Sequence, residues 1–475
     1  MSISDTGRQK TDRKLRLTKR VHWLLSVAVF ALFWLYFRYS HRTVRFNKSM
    51  RYDLYVVILY AFLFSWFNFV FDSYELGYSR IRHLVLSQCL AEFFTVVIIY
   101  VLVSLAWLKI VEPRLIPCVM VIQTLLNCVW STLANTRYYR LVGVLHTVVI
   151  YRDREDMDSF ANITGKPIGK TMSIDKYVQY DGTEISEIRR EIDGYKGIFV
   201  VGVNGTLMNG LCKYCVENDV RGLFVPHIGD VILSGAKHIR SFSSPVLSVQ
   251  RARKSVEYLF LKRAFDILVS AIGIILLSPL MLLTAIMIRA YDGGPAIYKQ
   301  VRLTKDAKEF RIIKFRSMRV DAEEDGRARL STGEKDDRIT PIGRLIRACR
   351  LDELPQLFNI LKGDMTIVGP RPERPEIAAQ YEKELPEFAF RLQVKAGLTG
   401  YAQVYGKYNT PPGEKLKFDL MYINDMGIVT DLELMFDTVR ILFKKESTEG
   451  VNGGQATAMK SEGGQEKENT VQLGR

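Results

Sequence analysis

The sequence predicts a membrane protein with three folded parts: four transmembrane helices in residues 1–137, a Rossmann-like α/β domain in 138–250, and a second α/β domain in 251–446. Three observations predict this architecture. Long apolar runs crowd into the first third of the chain, short β-branched runs alternate with a helical pattern in the middle, and one later apolar run is interrupted by a proline. Residues 447–475 are rich in Gly, Glu and Gln, and we expect them to be disordered.

Four apolar runs have about the length of a membrane span. They are Val21–Phe37, Leu54–Phe71, Phe93–Leu108 and Leu115–Ala134. The N-terminal tail is rich in Lys and Arg, which places it in the cytoplasm, and four spans return the chain to that side. The basic first loop, with Arg42, Arg45 and Lys48, argues against this orientation. We nevertheless predict a multi-pass protein of the bacterial cytoplasmic (inner) membrane whose soluble domains face the cytoplasm.

The middle of the chain has the pattern of a parallel sheet, in which strands and a helix alternate. The expected helix is at about Leu207–Glu217. The expected strands are Thr147–Tyr151, Gly197–Val201, Gly222–Pro226 and Pro245–Val249. No G-x-G-x-x-G follows a strand, and Gly202-Val-Asn-Gly205 is a weak substitute. We therefore expect a Rossmann-like shape without a nucleotide site.

The fifth apolar run, Ile267–Ile288, predicts a re-entrant membrane helix at about 264–289. Ser278 and Pro279 lie near its middle, where proline removes a helical hydrogen bond and the serine can satisfy a freed carbonyl. Basic residues flank both ends of the run, which favours a hairpin that enters and leaves the same leaflet. An ordinary span with a proline kink remains the alternative.

The formal net charge of +15 predicts anionic partners. Because apolar spans are present, we expect phosphates and lipid rather than nucleic acid. Residues 251–475 contain no histidine, and their only cysteine is Cys349. That composition excludes a Ser-His-Asp triad, a Cys-His pair and a histidine-bound zinc from this region. Chemistry there has to use carboxylates and cations, with or without a bound hard metal ion.

Asp352 and Glu353 are the leading candidates for that chemistry. Asp352 precedes an apolar helical run and can cap it, with Pro355 in the first turn. A helix N-terminus favours an ionised carboxylate and an approaching phosphate, so Asp352 can act as nucleophile and Glu353 as a ligand of Mg²⁺. Arg347 and Arg350 can screen the phosphate charge. The alternative is that Asp352 only caps and that Glu353 is a solvated acid.

Two further segments present cations. Pro370 and Pro372 fix a rigid turn around Arg371, whose guanidinium can bind phosphate with two hydrogen bonds. The alternation of Phe310–Met318 predicts a strand with Lys314 and Arg316 on one face. An ordinary turn and a solvated strand face explain these patterns equally well in isolation.

Taken together, the motifs from about Leu261 to Phe443 resemble those of the bacterial sugar transferases, the monotopic polyprenyl-phosphate hexose-1-phosphate transferases, and in particular their large multi-domain members. The matching stretches are Lys262-Arg-Ala-Phe-Asp266, Ser278-Pro279, Gln300-Val-Arg302, Lys314-Phe-Arg-Ser-Met318, Leu351-Asp-Glu-Leu-Pro-Gln356, Lys362-Gly-Asp-Met365, Val368-Gly-Pro-Arg-Pro372, Gly397-Leu-Thr-Gly400, Ala402-Gln-Val404 and Asp419-Leu-Met-Tyr-Ile423.

The resemblance implies that residues 251–446 form a catalytic domain that transfers hexose-1-phosphate from a UDP-hexose to polyprenyl (undecaprenyl) phosphate and releases UMP. Asp352 would be the nucleophile of a phosphosugar-aspartate intermediate, and Glu353 would hold Mg²⁺. Lys314, Arg316, Arg347 and Arg371 would bind substrate phosphates. This is the first membrane step of exopolysaccharide, capsule, O-antigen or glycoprotein glycan assembly. The resemblance leaves the sugar undefined and a homo-oligomer open.

Three positions depart from the family pattern. Thr304 and Ala307 stand where glycines are usual, so we expect a different turn there, and Ala396 stands where proline is usual. Two other classes of function remain as alternatives: a membrane scaffold for glycan assembly, which would tolerate loss of Asp352, and a ligand-sensing regulator, which would not need the motifs around Asp352 and Arg371.

Overall fold

The computed structural model describes residues 5–40, 50–77, 81–153, 157, 160, 172–182, 184–239, 244–320, 322, 336, 338–406 and 410–442. The basic residues Arg42, Arg45 and Lys48 and the expected disordered tail 447–475 lie outside the described residues. The chain forms two compact units, Met1–Pro226 and His227–Arg475.

The first unit begins with four apolar helices, and each covers one of the four apolar runs found in the sequence to within two residues. They are α1 (Asp5–Ser40), α2 (Met50–Val70), α3 (Ile81–Ala106) and α4 (Ile116–Val142). All four are long and apolar enough to cross a membrane. Their outward faces expose leucine, valine and phenylalanine, whereas their inward faces bury aromatic rings such as Phe30 stacked on Tyr60. This unit has the character of a membrane protein.

A four-stranded sheet completes the first unit. All its pairings are parallel, in the order β2-β1-β3-β4. Its elements are β1 (Leu145–Tyr151), β2 (Met172–Gln179), α5 (Ile185–Ile192), β3 (Gly197–Val200), α6 (Gly205–Glu217) and β4 (Arg221–Phe224). Strands β1, β3 and β4 and helix α6 lie where the sequence predicts them. The sequence analysis missed the edge strand β2, whose alternating burial reflects one solvent-facing side.

The second unit begins earlier than the sequence motifs do. Helix α7 (Ile228–Ser234) contributes Val231 to the core of the second unit, and a small antiparallel hairpin follows it, β5 (Lys237–Ile239) and β6 (Val246–Ser248). The fourth predicted strand, Pro245–Val249, therefore pairs within this hairpin and does not join the parallel sheet. Its short apolar run could not reveal which partner it would find.

Helix α8 (Val256–Asp292) contains Pro279 and is the fifth helix apolar enough to cross a membrane. The hydroxyl of Ser278 donates to the carbonyl of Ile275 at 2.8 Å. One stripe of the helix packs on the second unit on both sides of the proline, through Asp266 before it and Ile288 after it. The remaining faces expose apolar side chains. Exposed examples are Leu268, Ile272, Ile275, Leu276, Leu282, Leu283 and Ile286.

The remaining elements build a large core around Ile360, Met365 and Leu416 and a smaller cluster of Ile288, Phe315 and Ile346. They are β7 (Ile297–Leu303), β8 (Glu309–Phe315), α9 (Pro341–Ala348), α10 (Gln356–Lys362), β9 (Thr366–Val368), α11 (Pro375–Glu384), β10 (Gly397–Thr399), α12 (Tyr401–Val404), α13 (Pro412–Asp425) and α14 (Ile428–Leu442). Strands β7 and β8 form an antiparallel hairpin, and β9 and β10 pair in parallel. The 3₁₀ turn Leu351–Glu353 connects α9 to α10, and the 3₁₀ turn Pro386–Gln393 connects α11 to β10.

Candidate active site

The Asp352-Glu353 pair lies in a tight turn rather than at the start of a helix. Arg350 adopts a left-handed conformation with φ of 55°, which reverses the chain after α9, and Leu351–Glu353 then forms a 3₁₀ turn. Helix α10 begins only at Gln356, and no side chain caps it. The predicted N-cap role of Asp352 is therefore wrong. A left-handed arginine costs about 1 kcal/mol or more, and such strain is concentrated at functional sites.

Three cations surround the Glu353 carboxylate. Arg371 Nη2 donates to Glu353 Oε1 at 3.0 Å, Lys314 Nζ lies 3.4 Å from the same oxygen, and Arg350 Nη1 lies 3.7 Å from Oε2. The Glu353 side chain is only 12 % exposed. Burial alone would raise the pKa of Glu353, but the guanidinium of Arg371 and the ammonium of Lys314 outweigh it and hold that pKa well below its usual range. Glu353 is therefore ionised.

Asp352 is the carboxylate that remains available. No described residue forms a hydrogen bond or ion pair with it, although Lys314, Arg347 and Arg350 lie near enough to act on its charge. Burial, and then the adjacent Glu353, raise the pKa of Asp352. The Arg347 Nη1 atom is buried without a hydrogen-bond partner, so a donor beside this turn is left for an incoming group.

Arg316 does not join this cluster. Its guanidinium is 8 % exposed and forms an ion pair with Asp292 at the end of α8. The prediction placed Lys314 and Arg316 on one strand face, but β8 ends at Phe315, and Arg316 follows the strand. This ion pair ties the strand end to α8, while the Arg316 Nη1 atom is buried without a hydrogen-bond partner. The assignment of Arg316 as a phosphate-binding residue stays a prediction.

Arg371 is presented by a crowded turn. The N–H of Gly369 donates to the carbonyl of Thr399 at 2.7 Å, and the N–H of Gly397 donates to the carbonyl of Pro370 at 2.8 Å. A Cβ on Gly397 would lie 2.1 Å from the backbone nitrogen of Gly369, so only glycine permits this approach. Pro370 and Pro372 thus belong to a backbone held on both sides, which fixes the direction of the Arg371 side chain.

A buried ion network supports the same turn from behind. Arg391 donates to the carbonyl of Arg371 at 2.8 Å and to Asp419 at 2.8 Å, and both ionic side chains are at most 3 % exposed. Arg302 donates to the carbonyl of Pro372 at 3.1 Å. The sequence analysis assigned no role to these residues. Arg302 and Asp419 lie within the quoted motifs, which was the available signal, whereas Arg391 lies outside them.

Two more buried residues connect the elements around the turn. Asn359 of α10 accepts from the N–H of Ile313 at 2.9 Å and donates to the carbonyl of Arg311 at 2.9 Å, so it pairs like a strand with β8. Asp266 of α8 accepts from the Thr366 hydroxyl at 2.7 Å and from the N–H of Ile367 at 3.1 Å. Helix α8 and the strand that leads to Arg371 are thereby joined.

The donor set of this site suits Mg²⁺. Among the described residues, no group of three His, Cys, Asp or Glu side chains is placed to hold a metal ion. Mg²⁺ is usually held by one or two carboxylates together with waters and substrate phosphates. Glu353 supplies one such carboxylate, and its Oε2 lies 3.7 Å from Arg350 Nη1, beyond hydrogen-bond distance.

Two positions that depart from the family pattern contact each other. The N–H of Ala396 donates to the Thr304 hydroxyl oxygen at 3.1 Å, and that hydroxyl donates to the carbonyl of Asp364 at 3.2 Å. Proline at 396 could not donate this bond, and glycine at 304 could not accept it. Ala307 has a φ of 56°, so its backbone keeps the left-handed conformation that glycine favours.

Known proteins are similar to this chain within the second unit. A model of the bacterial sugar transferase family matches residues 257–445. The chain is 38 % identical over 191 residues to a UDP-glucose:undecaprenyl-phosphate glucose-1-phosphate transferase of Caulobacter vibrioides, which covers 39 % of this chain and 71 % of that protein. The chain belongs to the bacterial sugar transferase family. The strained turn, the Arg371 loop and the anchor at Asp266 all lie inside the region that defines the family.

Longer relatives share the same region. The chain is 41 % identical over 188 residues to a UDP-N-acetylgalactosamine-undecaprenyl-phosphate N-acetylgalactosaminephosphotransferase of Aeromonas hydrophila, covering 39 % of this chain and 44 % of that one. It is 37 % identical over 212 residues to a UDP-glucose:undecaprenyl-phosphate glucose-1-phosphate transferase of Klebsiella pneumoniae, covering 44 % and 43 %. The match spans less than half of each of these two sugar transferases.

Proposed function

We propose that this sugar transferase moves hexose-1-phosphate from a UDP-hexose to polyprenyl (undecaprenyl) phosphate and releases UMP. The observation that carries the proposal is the contrast within one turn: Glu353 is neutralised by three cations, while Asp352 beside it has no described partner. Similarity to relatives that use undecaprenyl phosphate supports the acceptor. Those relatives differ in their sugars, so the proposal leaves the hexose open.

The first step is attack by an Asp352 carboxylate oxygen on the β-phosphorus of the UDP-hexose. A P–O bond to aspartate forms, the bond to the bridging oxygen breaks, and UMP leaves with that electron pair. In the second step a polyprenyl phosphate oxygen attacks the same phosphorus and displaces Asp352, which regains its charge. The product is a polyprenyl diphospho-sugar, and no net redox change or extra reactant is needed.

The cations make this attack electrostatically feasible. Lys314, Arg347, Arg350 and Arg371 surround two carboxylates, which leaves an excess of two positive charges for a diphosphate. Preorganised charge of this kind stabilises the extra negative charge of a phosphoryl transition state. Glu353 and the substrate phosphates would hold Mg²⁺, which when bound neutralises phosphate charge.

Contacts within the second unit support a membrane helix whose two ends lie on one side of the bilayer. Before α8, the carbonyl of Val231 accepts from Asn424 at 2.7 Å; after α8, Arg316 pairs with Asp292. Residues that precede and follow the helix thus share one soluble core, which cannot lie on both sides of a bilayer about 30 Å thick. We propose a re-entrant α8 and a second unit on the cytoplasmic face of the inner membrane.

The test of function is release of UMP without the lipid acceptor. Purified protein with a UDP-hexose and Mg²⁺ should release at most one UMP per active site, and labelled UMP should exchange into the UDP-hexose. Direct transfer from nucleotide-sugar to lipid would give neither result in a preparation that turns over with lipid. A scaffold or a ligand-sensing regulator would give no UMP under any condition, across a panel of UDP-sugars.

The test of topology uses single cysteines at Glu257 and Lys305, on either side of α8. In intact cells both should be shielded from an impermeant thiol reagent and become reactive when the membrane is permeabilised. Labelling of Lys305→Cys alone in intact cells would establish an ordinary span.

A further inference from the structure

The interior of the four-helix bundle is unusually polar for a membrane segment. Polar side chains from all four helices are at most 5 % exposed there. They are His22, Ser26, Asn68, Ser87, Gln88, Glu92, Thr95, Gln123, Asn127, Ser131 and Asn135. Ionisable residues inside a membrane are costly and usually mark a functional site. The reaction proposed for the second unit does not use any of them.

Asn127 of α4 joins the two ionisable members of this group. Its Oδ1 lies 2.8 Å from His22 Nε2 on α1, and its Nδ2 donates to Glu92 Oε1 on α3 at 3.1 Å. The other nitrogen of His22 lies 2.9 Å from the Tyr74 hydroxyl. Because the amide oxygen can only accept, His22 carries a proton on Nε2.

A similar set of hydrogen bonds, made only by neutral groups, lies one helical turn away on α4. Gln123, one turn before Asn127, donates to the Tyr60 hydroxyl at 2.8 Å and to the carbonyl of Ser26 at 3.1 Å. Both hydrogens of its amide nitrogen are thereby used. Its Oε1 has no hydrogen-bond partner, and neither has the hydroxyl of Ser26.

Three of the buried atoms without a hydrogen-bond partner are oxygens that can accept from a positive or hydrogen-donating group. Besides Gln123 Oε1 and Ser26 Oγ, the second carboxyl oxygen of Glu92 is fully buried and unpaired. The titratable groups around Glu92 are His22 on α1, Tyr60 on α2, Tyr74 after α2 and Cys89 on α3. The described buried side chains of the bundle include no lysine or arginine. A carboxylate buried without a cation costs several kcal/mol. These acceptor oxygens therefore lack a positively charged or hydrogen-donating partner.

We propose that the bundle binds a monovalent cation, Na⁺, at Glu92, with Gln123 and Ser26 supplying further oxygens. Hard cations of this kind take oxygen ligands, and one positive charge balances the single carboxylate. A divalent ion would leave an excess charge in an apolar surrounding. The site belongs to the first unit and is independent of the reaction proposed for the second.

The chain carries its own reporter for this site. All five tryptophans, Trp23, Trp34, Trp66, Trp107 and Trp130, lie in the first unit, and the Trp130 ring is 4.5 Å from that of His22. Thermal unfolding of the full-length protein in detergent, followed by tryptophan fluorescence, thus reports on the bundle. Replacing choline chloride by NaCl at equal ionic strength should raise the midpoint by about 3 °C when Na⁺ is tenfold above its Kd.

Glu92→Gln should abolish this response, because the isosteric amide removes the charge and leaves the packing intact. Exposed Glu75→Gln is the matched control and should respond to Na⁺ as the unmodified protein does. If Glu92→Gln does not fold, Ser26→Ala is the second variant. Its unfolding midpoint should show the same rise only at a severalfold higher Na⁺ concentration. The proposal is overturned if the unmodified protein gains nothing from Na⁺ and responds only to pH, which would make Glu92 a proton site. A Na⁺ response that survives in Glu92→Gln also overturns it.

Discussion

The two units each bury a glutamate, and the two environments are opposite. Glu353 in the second unit faces Arg371, Lys314 and Arg350, so its charge is neutralised by the protein itself. Glu92 in the first unit receives one hydrogen bond from the neutral Asn127, and its other oxygen is unpaired. The Glu353 carboxylate is therefore balanced by cations of the protein, whereas Glu92 lacks a counter-charge.

This difference separates a site that requires an anionic partner from one that requires a cationic partner. In the second unit, positive charge exceeds negative charge and the missing component is an anion, which fits a diphosphate. In the first unit, acceptors exceed donors and the missing component is a cation. A count of donors, acceptors and charges around each buried carboxylate thus assigns the sign of the ligand before its identity is known.

The largest expected effect is on the reaction rate when Asp352, the neighbour of Glu353, loses its charge. Asp352→Asn removes the attacking charge while it keeps the shape of the side chain. We expect a fall in kcat of at least ~10³, equivalent to about 4 kcal/mol of barrier. Turnover with UDP-hexose and lipid is the measurement, and exposed Glu376→Gln on α11 is the matched control. Activity within about tenfold of the unmodified protein would assign the nucleophile elsewhere.

Neutralising the two glutamates should change stability in opposite directions. Glu353→Gln leaves Lys314 and Arg371 without their shared counter-charge, and we expect a loss of about 2 kcal/mol. Glu92→Gln in choline removes an uncompensated buried charge, so the unfolding midpoint of the bundle should rise.

The two effects are measured separately. Tryptophan fluorescence follows the bundle, and hydrogen exchange in β8 and α10 follows the second unit. A fall in stability for both variants would mean that Glu92 already has a compensating charge.

The pH dependence of the first half-reaction should reveal the environment of Asp352. Burial, and then Glu353, raise the pKa of Asp352 to about 6. Because only the carboxylate attacks, the rate of the UMP burst should fall about tenfold per pH unit below that value and level off above it. Omitting lipid matters, since a phosphate monoester also titrates near pH 6.

Two variants fix the sign of this effect. Glu353→Gln removes a negative neighbour and should move the acid limb to lower pH, whereas Arg347→Gln removes a positive neighbour and should move it to higher pH. An acid limb that stays in place in both variants would show that another group controls it.

The sequence predicted the helices of the bundle and strands β1, β3 and β4 because their apolar runs are long or continuous. It could not predict β2, because the alternation of polar and apolar residues there also occurs in solvated loops. Nor could it predict the partner of β6, because strand pairing depends on distant residues. It grouped Asp352, Glu353, Arg347 and Arg371 from motifs, and the structure brings these together. It wrongly extended strand β8 to Arg316, because a strand pattern does not state where the strand ends.

Contacts across the chain explain what the sequence could not supply. Arg391 and Asp419 support Arg371 over long sequence separations, and Glu92 meets Asn127 only because α3 and α4 pack with those faces together. Hydropathy averages over a span conceal such single polar residues. The catalytic unit could be inferred from dense local motifs, whereas the polar interior of the bundle could be found only from three-dimensional packing.

The smallest expected effect lies at the contact between Thr304 and Ala396, which departs from the family pattern at both ends. Thr304→Val removes the hydroxyl that accepts from the Ala396 N–H, and Ala396→Pro removes that N–H. Each change alone should cost about 1 kcal/mol, the net value of one buried hydrogen bond.

Because both substitutions remove the same bond, the double variant should cost little more than either one, a coupling measured by a double-mutant cycle on thermal unfolding. The exposed Lys305→Ala, combined with Ala396→Pro, is the control pair and should be additive. Additive losses in Thr304→Val/Ala396→Pro would mean that the hydroxyl acts mainly through the carbonyl of Asp364, to which it donates at 3.2 Å, and that the two departures arose independently. A coupled result would show that the second unit replaces the rigidity of a proline by a hydrogen bond between the residue after β7 and the residue before β10, next to the turn that presents Arg371.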